Sequence, residues 1–339
     1  MDCEMELDHS DRATADLRVA IKMLEALDPR SIARELAPIA DHAAVRQVLE
    51  IAIEYPTELV LAALDAGADP RVDGSKLLDI ACTRGRIKIV DRLFAPRPAG
   101  CGLAAEDARH VLLRRRYPLL NACCNGHAQV VRRLFEAGLG ADDARVDNNY
   151  ALHRVCAKGF LDVLDLLRGA GLDADDVRLA RDADDLFIGG SYQSVIAACR
   201  HGHINILDRL FAPLPAGFGV PVDRLLVIGC RALEYVAITG IGDSPRVIDW
   251  VFAAAPALAA NEGIANNVDY FICSGKPASV AAMFRHGAAL RSSSLKWCKS
   301  TAVARVILDR WGGTPELEAA EAGLDEPARA RWAALSRPE

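Results

Sequence analysis

Tyr117-Pro118-Leu119-Leu120-Asn121-Ala122-Cys123-Cys124-Asn125-Gly126-His127 is followed by Val130-Val131 and then by Leu134-Phe135-Glu136-Ala137-Gly138. Proline opens this stretch as a helix start, and Gly126 interrupts it. The apolar pair at 130–131 returns four residues later, which places both pairs on one face of a second helix. The stretch is therefore a helix, a glycine turn and an amphipathic helix.

Working outward from Gly126, the same pattern recurs along the chain. Its anchors are Tyr55, Gly85, Gly126, Gly159, Gly202, Asp243 and Gly275, with steps of 30, 41, 33, 43, 41 and 32 residues. Apolar pairs follow each anchor in register, as Ile89-Val90 with Leu93-Phe94, or Ile206-Leu207 with Leu210-Phe211. The ten residues from Asp91 to Gly100 return at Asp208 to Gly217 with a single change, Arg97 to Leu214. Self-similarity at this period marks a repeat array, in which each unit buries its apolar face against the next.

The stretch at Tyr117 resembles the ankyrin-repeat family, whose unit of about 33 residues carries a T-P-L-H-x-A signature. Tyr150-Ala151-Leu152-His153 keeps the leucine and histidine, and Leu64-Asp65-Ala66-Gly67-Ala68-Asp69-Pro70 is similar to the family's helix-to-finger ending. The 32- and 33-residue steps and the Gly-His turn favour this family over a HEAT or armadillo-like array. The resemblance covers about residues 45–312 and implies an all-α ankyrin-repeat solenoid of about seven to eight helix-turn-helix units. It departs at the threonine, which is Lys76, Tyr117, Tyr150 or Gln193 here, and at the 41- to 43-residue steps, whose connectors are enlarged. Small extra helices or longer fingers are expected there. Residues 1–44 and 313–339 fall outside the pattern and are expected to be helical caps. An adaptor-type helix pair that recruits a ubiquitin ligase is the rival reading of the N-terminal segment.

Cys82, Cys123, Cys156 and Cys199 each stand three residues before Gly85, Gly126, Gly159 and Gly202. One repeat position holding four cysteines reads as a column of small core residues. Cys199-Arg200-His201-Gly202-His203 gathers potential zinc ligands, but His203 shares the turn position of His127 and Cys199 the core column, so they point apart. His153 and Cys156 are spaced for a nucleophile pair; the resemblance implies instead that His153 ties neighbouring repeats together. No phosphate-binding loop, His-Glu-x-x-His or Gly-x-Ser-x-Gly is present. The expectation is a non-enzymatic chain without a cofactor or bound metal.

The net charge of -6 gives no general attraction for nucleic acid or anionic lipid. The longest apolar run, Trp250 to Ala260, is too short to span a bilayer. Ten cysteines without a C-x-x-C pair suit a reducing cytoplasmic setting. Taken together, these features predict a monomeric intracellular scaffold that binds a protein partner through its repeat surface. A viral or bacterial effector acting on host proteins is the alternative. Two connectors are unevenly charged. Arg114, Arg115 and Arg116 make one basic, and Asp182, Asp184 and Asp185 belong to a run of six aspartates against two arginines. These six residues are the expected partner contacts.

Overall fold

Glycine at each anchor lets the backbone take a conformation that other residues resist, and that turn sets the geometry of every unit. In a computed structural model of the chain, Gly85, Gly126, Gly159, Gly202 and Gly275 all have φ between +68° and +77°. The structure describes residues 57–65, 69–71, 76–110, 117–179, 192–239 and 244–337. The expected N-terminal cap, and the Tyr55 and Asp243 anchors, lie outside these residues.

Two compact bodies divide the chain, one ending at Asp143 and the other beginning at Ala144. The first contains α1 (Thr57–Asp65), α2 (Lys76–Thr83), α3 (Ile87–Phe94), α4 (Ala105–His110), α5 (Pro118–Cys124) and α6 (Ala128–Glu136). The short α7 (Ala141–Ala144) runs across the division. In the second, α8 (Val146–Lys158), α9 (Leu161–Gly169), α10 (Ala174–Leu179), α11 (Gln193–His201) and α12 (Ile204–Phe211) come first. They are followed by α13 (Leu225–Thr239), α14 (Ser244–Ala254), α15 (Glu262–Cys273), α16 (Pro277–Arg285), α17 (Ser292–Trp297) and α18 (Thr301–Trp311). Last are α19 (Pro315–Ala322) and α20 (Glu326–Leu335). No strand occurs among the described residues. The fold is an all-α repeat solenoid.

Each repeat pairs a first, inner helix with a second, outer one. Inner helices pack on inner helices, α2 on α5 in the first body and α8, α11, α13, α15 and α17 in succession in the second. Outer helices follow the same order, with α14 on α16 and α16 on α18. The apolar pairs face this stack: Ile89, Val90, Leu93, Val130, Val131 and Leu134 are at most 1% exposed, as are Val163, Leu164, Leu167, Ile206, Leu207 and Leu210. Burying one such side chain contributes about 1.5–3 kcal/mol.

The connectors differ from the expectation in one respect. Short helices occur as expected in the enlarged connectors at α4 and α10, but also at α7, inside a step of ordinary length. All three begin with an acidic first turn, which suits the positive end of a helix. After Pro213 the chain makes a 3-10 turn at Val222–Arg224. At the C-terminal end, Thr314 accepts a hydrogen bond from the Leu317 N–H with Pro315 at the first helical position. The resulting α19 and α20 pack on α17.

Candidate protein-interaction surface

The residues that follow the turn glycines tie each repeat to the one before. His127 donates from Nε2 to the Thr83 carbonyl at 3.0 Å, and His203 donates to the Ala157 carbonyl at 3.2 Å. Lys276 reaches the Val236 and Ala237 carbonyls at 3.1 and 3.0 Å. Each bond satisfies helix C-terminal carbonyls that the helix itself leaves unpaired. The ring needs the glycine beneath it: a Cβ on Gly85 would lie 2.5 Å from His127 Nδ1, and one on Gly159 would lie 2.6 Å from His203 Nδ1. Gly159→Ala is therefore expected to cost about 2–3 kcal/mol, from left-handed backbone strain and from overpacking. Adding His203→Ala should recover the packing share only, which a double-mutant cycle by denaturant titration would resolve.

The Cys82, Cys123, Cys156 and Cys199 side chains lie at 0% exposure. His153 is buried as well, so His153 and Cys156 share no open pocket in which a nucleophile could meet a substrate. Among the described residues no group of His, Cys, Asp and Glu is placed to hold a metal ion.

A second network has no counterpart in the sequence expectations. Arg71 grips Asp107 with Nε and Nη2 at 2.9 and 3.1 Å and also donates to the Gly102 carbonyl. Arg109 does the same to Asp143, at 2.9 and 3.0 Å, and to the Gly138 carbonyl. In the second body Arg145 repeats it on Asp176, at 2.9 and 3.0 Å, and on the Gly171 carbonyl. Each aspartate also accepts a backbone N–H at the start of its own short helix, from Ala104, Gly140 or Asp173. Burial raises the Asp143 and Asp176 carboxyls, but the paired arginine and the backbone N–H outweigh it, and both end below the ordinary carboxylate range. A sequence signal existed: Ala105-Glu-Asp-Ala-Arg109, Ala141-Asp-Asp-Ala-Arg145 and Ala174-Asp-Asp-Val-Arg178 are one motif. It sits before the helix pairs, where a ruler built on the turn glycines does not look.

Inner helices of the second body expose large apolar side chains. Val227 on α13 is 75% exposed, Ile238 58%, Tyr270 on α15 41% and Trp297 on α17 47%. Side-chain bonds hold these helices in register. Asn267 donates to the Cys230 carbonyl at 2.8 Å and Ser274 to the Ala237 carbonyl at 3.0 Å. Ser293 and Ser294 both donate to the Asp269 carboxylate, at 2.8 and 2.5 Å. Ile238 and Trp297 thus occupy the C-terminal ends of helices in one inner layer, with Tyr270 a turn back. Outer helices are instead bridged by polar pairs, Arg209–Asp165, Trp250–Asp208 and Arg285–Asp249.

The family model for ankyrin repeats matches residues 78–178 in three copies. Residues 78–178 are ankyrin repeats. Comparison with curated proteins and with solved structures gave no match. The matched residues include all three copies of the Arg–Asp motif. Ankyrin repeats are generally protein–protein interaction modules and typically non-enzymatic. Exposed loops and inner helices are the parts of such a stack that can vary without loss of its core. The sequence-selected contacts Arg114, Arg115, Arg116, Asp182, Asp184 and Asp185 lie outside the described residues.

Proposed function

We propose that the chain is a non-enzymatic binding scaffold that receives a segment of a partner protein on the inner helices of residues 225–297. The observation that carries this is the exposure of Val227, Ile238, Tyr270 and Trp297 on successive inner helices. Large apolar side chains left in water on neighbouring helices are a common mark of a partner-binding surface, and aromatic anchors contribute most to such contacts. The scaffold works as a monomer, without nucleic acid, in a reducing cytoplasm, and α19 with α20 closes the array's C-terminal end. No described helix is long and apolar enough to cross a membrane.

A photocrosslinking residue at Tyr270 should trap a protein from the cells in which the chain functions, whereas one at the exposed outer position Ala253 should not. The I238K/W297K double variant should lower the Tyr270 yield about tenfold, the size expected when anchor residues are lost, without altering the circular dichroism. Equal trapping at Ala253, or an unchanged yield in the double variant, would sink the inner-face reading.

A further inference from the structure

Five basic side chains gather where α8 and α11 end. Arg154 and Lys158 are one helical turn apart on α8. Arg200 and His201 form the last turn of α11, and His203 follows in the glycine turn. The His203 bond to the Ala157 carbonyl pins the second group against the first. The His201 and His203 rings lie nearly parallel, 15° apart in plane, with centroids 6.1 Å apart.

Cations near a helix C-terminus are favourable in themselves, but that does not account for this cluster. Arg145, Arg209 and Arg285 in the same body each pair with an aspartate. Arg154, Lys158 and Arg200 make no ion pair among the described residues; Arg154 lies over the Tyr150 ring, 6.0 Å from its centre. The Arg200 Nε–H is shut off from solvent and meets no acceptor. The His201 imidazolium is disfavoured first by burial and then by Arg200, His203, Lys158 and Arg154, a local excess of positive charge with no acid among its causes. Such a site gains from an incoming anion.

We propose that Arg154, Lys158, Arg200, His201 and His203 form a docking site for a carboxylate-rich segment of a partner protein. The guanidinium groups of Arg154 and Arg200 can grip carboxylates in two-pronged fashion. A protein segment fits better than a nucleic acid strand. Next to α11 packs α13, which carries the exposed Val227 and Ile238, so an acidic segment with apolar residues would engage these as well as the cluster. The inference rests on the scaffold reading and adds the partner's chemistry.

Anisotropy of fluorescein-labelled oligoglutamate at low salt tests it, with oligothymidylate of equal charge as comparator. The peptide should bind the wild-type chain, weaken as salt is added, and lose about tenfold or more in affinity in R154Q/K158Q/R200Q. The triple variant R224Q/R331Q/R337Q removes the same charge elsewhere and should bind as wild type does. Should the first variant fail to fold, K158Q alone changes an exposed side chain and should lose about threefold. The proposal is overturned if wild type does not bind oligoglutamate, if the cluster variants bind as wild type does, or if oligothymidylate binds more tightly. Tyr270 crosslinking reads a residue outside the five of the basic cluster, so the scaffold reading and the acidic-segment reading can fail separately.

Discussion

Asp176→Ala destabilises the body that begins at Ala144 by about 3 kcal/mol, at the lower end of what breaking a buried ion pair costs. Its side chain is 8% exposed and accepts four hydrogen bonds from three residues. Arg145 grips both oxygens, Asn149 donates Nδ2 to Oδ1 at 3.2 Å, and the Asp173 N–H donates at 3.0 Å. Removing the carboxylate leaves the Arg145 charge without its partner, although that side chain is 38% exposed and regains some solvent. It also removes the anchor of Asn149, which with Asp147 and Asn148 holds φ of 57–59°. Asparagine and aspartate tolerate this left-handed region better than most residues, yet three in succession need the surroundings to hold them. A melting midpoint lower by about 6–10 °C is expected for a body of this size. Asp175→Ala, at an 80% exposed side chain, should move stability by no more than about 0.5 kcal/mol. The acid limb of the stability profile gives a second reading. The folded-state value of Asp176 is depressed, so its contribution is complete above the unfolded carboxylate value, near 3.8. It disappears as pH falls through the folded value. Melting followed from neutral pH into the acid range should fall less steeply in Asp176→Ala than in wild type. Parallel curves would show that the pair does not stabilise the ionised aspartate.

The four column thiols should be the slowest to label in the chain. Burial pushes Cys82, Cys123 and Cys156 well above the usual thiol value and Cys199 up to about 12. At pH 8 a thiol with that value is ionised in roughly one molecule in ten thousand, and only the thiolate reacts. Closed packing adds a second barrier, because a reagent must wait for the helices to part. Cys273 is exposed on α15 and serves as the internal standard. A maleimide should modify Cys273 at least about a thousandfold faster than any of the four, and the four should react together once denaturant unfolds the repeats. Labelling at the rate of Cys273 would place the column outside the core. Cys156→Ser should cost about 1–3 kcal/mol if the hydroxyl finds no partner.

Much of this was legible before any coordinates. Apolar pairs at a four-residue spacing behind a turn glycine can be satisfied only by a helix whose buried face needs a neighbour, so the repeat and its helical character followed from residues such as Ile206-Leu207 and Leu210-Phe211. The column at Cys82 and its equivalents followed from register alone. The candidate site was less legible. Arg114 to Arg116 stand out in a linear reading because their charge falls in a long connector. Arg71, Arg109 and Arg145 look no different from other arginines until the next repeat brings an aspartate to each, 36, 34 and 31 residues later. The exposed apolar side chains have the same difficulty: Val227 and Ile238 read as core in a helix as apolar as α13, and only their exposure singles them out.

By itself the sequence determined the period, the helix–turn–helix unit, the glycine turns and the small-residue column, because each depends on spacing within one unit, which covalent geometry fixes. Tertiary structure alone decided which charges pair, which apolar side chains stay in water, and where positive charge at Arg154, Lys158 and Arg200 is left without an acidic partner among the described residues. Those properties depend on distances between repeats, and stacking sets such distances only after every unit has folded.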